Sequence, residues 1–147
     1  MKNLAAITLF GAIIAGQAAF AGETPSMEGA SVYFANIQDG DTMKAGTTIV
    51  FGLSGMGVAP AGTEVENTGH HHLLINRAPF GEVADDADSI EYGYPADDNH
   101  VHFGKGQTEV KLDLPPGTHT LQLALGDLNH VPHNPPVLGE HITITVE

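Results

Sequence analysis

The chain has no cysteine and no tryptophan, and only 5 lysines and arginines among its 147 residues. Without cysteine there is no disulfide framework, no zinc ribbon, no thiolate nucleophile and no blue-copper site. Against 18 aspartates and glutamates the formal net charge is −13. Such a chain lacks the basic surface that nucleic-acid phosphates require, and an anionic membrane repels it. What it does have is 41% hydrophobic residues and nine histidines. The first is enough for one packed domain and too much for a disordered acidic chain.

No apolar run is long enough for a membrane span. Leu4 to Ile14 is apolar apart from Thr8 and Gly11; Lys2 precedes it and Ala19-Phe20-Ala21 follows. A positive start, a short apolar run and a small-x-small site make residues 1–21 a secretory signal peptide. Cleavage after Ala21 starts the mature chain at Gly22, with no cysteine there for a lipid anchor. The expected location is the periplasm or outside the cell. Residues 22–29 are expected to form a flexible tether and residues 30–147 a single domain.

From Val32 onward the hydrophobic period is two. Alternation marks strands at Val32–Phe34, Thr48–Leu53, His70–Ile75, Val110–Leu114, Thr118–Leu125 and Ile142–Val146, separated by turns rich in glycine and proline. Six short strands without a helical stripe predict an all-β fold, an antiparallel immunoglobulin-like or Greek-key β-sandwich. The turn Pro115-Pro116-Gly117 is expected to join the fourth and fifth strands as a hairpin. Phe80 to Asn99 is a long connection with seven acids and no lysine or arginine. Loops of that length are usually functional, and short helical turns are expected within it.

Most of the chemistry lies in the histidines. His70, His71 and His72 open the third strand, so His70 and His72 face one way and His71 the other. His100 and His102 repeat the i, i+2 spacing; His119 opens the fifth strand; His130 and His133 occupy a loop stiffened by Pro132 and Pro135. One such histidine is more often a hydrogen-bonded surface residue than a ligand. Their joint position at strand ends, which gather at the poles of a sandwich, favours a metal site made of His70, His72, His102, His119, His130 and His133. His70 or His72 approaches His119 if both strands start from the same pole. Imidazole without thiolate suits copper(II) or zinc(II), with Asp127 as a further ligand or an orienting partner.

Other chemistries find less support. The acids do not follow the spacing of a calcium loop. Gly104 to Gln107 precedes a strand rather than a helix N-terminus, which leaves no dipole for phosphate. No Gly-x-Ser-x-Gly elbow presents a serine nucleophile.

Several segments together carry a likeness. They are Gly52 to Gly62, Gly69 to Ile75, His102 to Glu109, Leu114 to Leu123 and Gly126 to His133, in that order. The chain resembles the exported bacterial family of domain of unknown function 4399 over roughly residues 30 to 146. The resemblance implies an exported compact domain with interest in the same histidines, and no established activity. The leading reading is a periplasmic or secreted module that sequesters or delivers copper(II) or zinc, with a metal ion and another periplasmic protein as partners. A copper/zinc metalloenzyme of superoxide-dismutase type is the alternative, weakened by the absent disulfide. A non-metal binding or structural module, with histidine as a pH-sensitive surface group, is the third.

Overall fold

The computed structural model describes residues 22–147; the signal-peptide reading falls outside them. The described residues form an all-β fold of nine strands: β1 (Ser31–Phe34), β2 (Thr42–Met43), β3 (Thr47–Ser54), β4 (Gly57–Val58), β5 (Thr68–Ile75), β6 (His100–His102), β7 (Glu109–Leu112), β8 (Gly117–Gly126) and β9 (Ile142–Val146). Six of these answer the expected strands. The additional β2, β4 and β6 are two or three residues long, too short for a period to register.

Two sheets result. One has the order β1-β3-β7; the other runs β2-β9-β8-β5-β4, with β6 also paired to β5. The longer pairings are antiparallel, but β2 joins β9 and β4 joins β5 in parallel, so the purely antiparallel expectation is corrected. The expected hairpin is corrected too. β7 pairs with β3 and β8 with β5 and β9, so Pro115-Pro116-Gly117 carries the chain from one sheet to the other. A proline pair is as compatible with a sheet crossing as with a hairpin, since neither ring donates to a ladder.

The main core draws on both sheets. Val32, Ile49 and Phe51 from the smaller sheet meet Leu73, Ile75, Leu121, Leu123, Leu125, Ile142 and Ile144 from the larger. Burying each such aliphatic side chain stabilises the fold by about 1.5–3 kcal/mol. The second face of β5 and β8 is covered as well. Leu74 and Ala124 lie under Phe80 and Tyr94 from the acidic connection, with Leu138 at the margin. That connection contains the expected helical turns, a 3-10 turn at Ala84–Ala87 and α1 at Asp88–Tyr92. β5 is therefore buried on both faces from Gly69 to Ile75. The residues expected as a tether start against the domain, with the Gly22 N–H donating to the Pro132 carbonyl at 2.8 Å.

Candidate metal centre

Alternation along β5 decides which histidines share a face. His71 points into the main core, its ring centroid 5.3 Å from that of Phe51. His70 and His72 point to the other side, under the covering connection. β6 adds the third ring, because His102 lies directly opposite His72 in the β5–β6 ladder. Directly opposed residues in an antiparallel pair share a face. The fourth ring comes from the loop after β8. His130 sits there with φ +68°, the left-handed conformation that a side chain with a Cβ seldom adopts.

The four rings converge. One ligand nitrogen from each of His70, His72, His102 and His130 lies within 4.8 Å of all the others. His70 Nε2 is 2.9 Å from His130 Nδ1 and 2.9 Å from His72 Nε2. A single ring nitrogen carries at most one proton, so it donates to at most one of these neighbours. With either one proton or one lone pair, His70 Nε2 cannot form two full hydrogen bonds at once, whereas a cation placed among the three nitrogens would be held by a lone pair from each. A tetrahedral ion with bonds of about 2.0–2.1 Å sets its nitrogens about 3.3 Å apart. Two of the present separations are 2.9 Å and none exceeds 4.8 Å, so the four nitrogens could hold a metal ion.

Glycines make room for the rings. A Cβ on Gly126, which faces His70 across the β5–β8 ladder, would stand 2.7 Å from His72 Nε2. One on Gly104 would fall 2.3 Å from His102 Cε1. Tyr94 closes the cluster on one side, its ring centroid 4.7 Å from that of His72. The phenol is buried, which raises its pKa, and the Asp86 charge adds to the rise.

The surroundings disfavour the charged form of His70, His72 and His102. Burial, then the neighbouring His130 and His102, push His70 down to about 4, with Asp127 pulling weakly the other way. Burial, then His70, His102 and His130, push His72 down to about 2. His102 is lowered by burial and by His130. Neutral imidazole is the form that binds metal, so His70 and His72 are ready as ligands near pH 7 without losing a proton.

Two expected ligands stand elsewhere. His119 is at the opposite end of β8 from Gly126, across from Ile144. Its Nε2–H donates to the Pro115 carbonyl at 2.9 Å and its Nδ1 accepts from Asn76 Nδ2 at 3.1 Å. The shared pole assumed for it is corrected by antiparallel pairing, which puts the start of β5 beside the end of β8. His133 is fully buried between the carbonyls of Leu125 and Thr68, at 3.4 and 3.3 Å. Asp127 turns its carboxylate to Thr24 and to backbone amides rather than to an imidazole nitrogen. Tyr94 and the cradling glycines were missed by sequence reasoning; an aromatic or a glycine beside a loop carries no metal-ligand spacing.

The model of the domain of unknown function DUF4399 matches residues 49–147. The chain belongs to this family. The match contains all four converging histidines and both cradling glycines, and leaves β1 and β2 outside, short of the span expected from about residue 30. No curated protein and no solved structure matches the chain.

Proposed function

We propose that this DUF4399 protein binds one copper(II) or zinc(II) ion through His70, His72, His102 and His130, and holds it or passes it to another protein. The convergence of four ligand nitrogens within 4.8 Å carries this reading. Copper(II) leads among divalent ions because nitrogen sites follow the Irving–Williams order. Four imidazoles fill a four-coordinate shell, tetrahedral for zinc(II) and tetragonal for copper(II), whereas a catalytic zinc keeps one position open. The arrangement therefore favours a carrier over a metalloenzyme. We place the protein in the periplasm or outside the cell, on the strength of the leader-like residues 1–21. The Greek-key sandwich belongs to the same reading, supported by a core shared between two sheets and a proline-rich crossing between them.

X-ray absorption on the copper-loaded protein tests the ligand set. The reading expects a first coordination sphere of nitrogen with the outer scattering of four imidazole rings. A sphere dominated by carboxylate or water oxygen would contradict it.

A further inference from the structure

The residues before β1 form an arm that is stitched to the loop following His130. Gly22 N–H donates to Pro132 O at 2.8 Å, Ser26 N–H to Asn134 O at 3.0 Å, and Asn134 N–H returns to Thr24 O at 2.8 Å. Pro25 bridges Asn134 in parallel register. The fit at the arm's start is close: a Cβ on Gly22 would stand 2.4 Å from Val131 Cγ1 and 2.7 Å from Pro132 O.

Between this arm and His130 stands one carboxylate. Asp127 Oδ1 accepts the amides of Asn129 and Val131 at 2.8 and 3.0 Å. The backbone closes the same turn: His130 N–H donates to Asp127 O at 3.0 Å, and Asp127 N–H to Val131 O at 2.9 Å. Asp127 Oδ2 is held from outside by Thr24 Oγ1 at 2.6 Å. His130, inside this turn, has φ +68°. A strained residue keeps its conformation only while its surroundings over-determine it. The other three imidazoles stand on paired strands and have no such dependence.

We infer that Thr24 is a positioning residue for the metal centre. Through Asp127 its hydroxyl fixes the turn that presents His130 to the three strand histidines. This inference rests on the metal-binding reading above. A hydroxyl bond to a carboxylate is charge-assisted and roughly twice as strong as a neutral one. Losing it frees Asp127 to leave the two amides and lets His130 swing away, while His70, His72 and His102 stay.

The test is copper(II) affinity, measured against a competing chelator, for the wild type, Thr24→Ala, Thr24→Ser and His130→Ala, and for Thr24→Ala combined with His130→Ala. Partners that orient a metal ligand are worth about 10–100-fold in affinity. Thr24→Ala should therefore bind at least about tenfold more weakly, and Thr24→Ser, which restores the hydroxyl, should bind as the wild type does. In the His130→Ala background Thr24→Ala should change nothing further, and the paramagnetic resonance spectrum of copper in Thr24→Ala should move toward that of His130→Ala. Equal affinity of Thr24→Ala and wild type would overturn the inference while leaving the site intact. So would the same loss in both backgrounds, which marks a general loosening of the fold. If the wild type takes up no stoichiometric copper, the metal-binding reading fails and this inference fails with it.

Discussion

His72 on β5 and His102 on β6 face each other directly across an antiparallel ladder, their rings stacked at 26° with centroids 5.1 Å apart. This pair ties the site to the rigid part of the fold. Both rings hang from backbone hydrogen bonds rather than from a loop, and His70 follows two residues along the same strand face. A metal ion bound here would therefore not need to order these three rings, and only His130 depends on a turn.

The first prediction separates the converging histidines from the others. Removing any one of His70, His72, His102 or His130 by substitution with alanine should weaken copper(II) binding by more than about 100-fold, since even groups that merely orient ligands are worth about 10–100-fold. His119→Ala should leave affinity unchanged and lower the melting temperature, because it forfeits two hydrogen bonds worth about 1 kcal/mol each. Competition with a chelator, alongside thermal melts, measures both. Loss of affinity in His119→Ala would break the assignment.

That contrast also shows what was legible in the sequence. The two-residue period placed His70 and His72 on one face and His71 on the other without any structure. It could not tell which ends of the strands are neighbours. Pairing β5 with β8 antiparallel puts Gly126 beside His70 and leaves His119 at the far end. The Pro-Pro-Gly turn reads identically for a hairpin and for a crossing, so the sheet membership of β7 was hidden. β6 is three residues long, below the length at which alternation is visible. The cradle at Gly126 and Gly104 was silent because a glycine needed for close approach looks like any turn glycine.

A second prediction concerns that cradle. Gly126→Ala places a Cβ 2.7 Å from His72 Nε2 and 3.3 Å from His130 Cα. Forcing extra volume into a packed site costs about 1–3 kcal/mol, so the protein without metal should melt lower. The displaced rings should also bind copper more weakly than wild type. Unchanged affinity would mean that the close packing of the rings against β8 is not needed for the site.

Acid should destabilise the metal-free protein through its buried histidines. His70 titrates at about 4 and His72 at about 2 in the fold, against 6.5 for an ordinary histidine. Between pH 6.5 and 4 the unfolded chain takes up protons that the folded chain refuses, so stability is full above pH 6.5 and falls as pH drops. The slope is at most about 1.4 kcal/mol per pH unit for each histidine. Denaturant melts from pH 7.5 to 4.5 should show this fall, and the double substitution His70→Gln with His72→Gln should flatten it. An unaltered slope in that double variant would assign the acid sensitivity elsewhere.

The covering connection depends on the only arginine in the chain. Arg77 Nη2 donates to Asp86 Oδ1 at 2.9 Å, and the Asp86 carboxylate is 2% exposed, with Gly81 N–H on its other oxygen at 2.7 Å. Removing one partner of a buried pair leaves a charge without compensation and costs about 3–5 kcal/mol. Arg77→Met should therefore lower the melting temperature sharply and speed amide exchange in the residues around the Asp86 turn. Asp86→Asn, which keeps an acceptor without the charge, should be milder. The reverse ranking of the two variants would contradict the account.

The central claim is that four histidines form one metal site, and its most direct test is a titration of the tag-free protein with copper(II) and with zinc(II). Bound metal and melting temperature are followed together, for the wild type and for His70→Ala with His72→Ala. The account predicts one ion per chain and a higher melting temperature for the wild type, with both effects lost in the double variant. Substoichiometric uptake without a thermal shift, or stoichiometric binding that survives the double substitution, would contradict it.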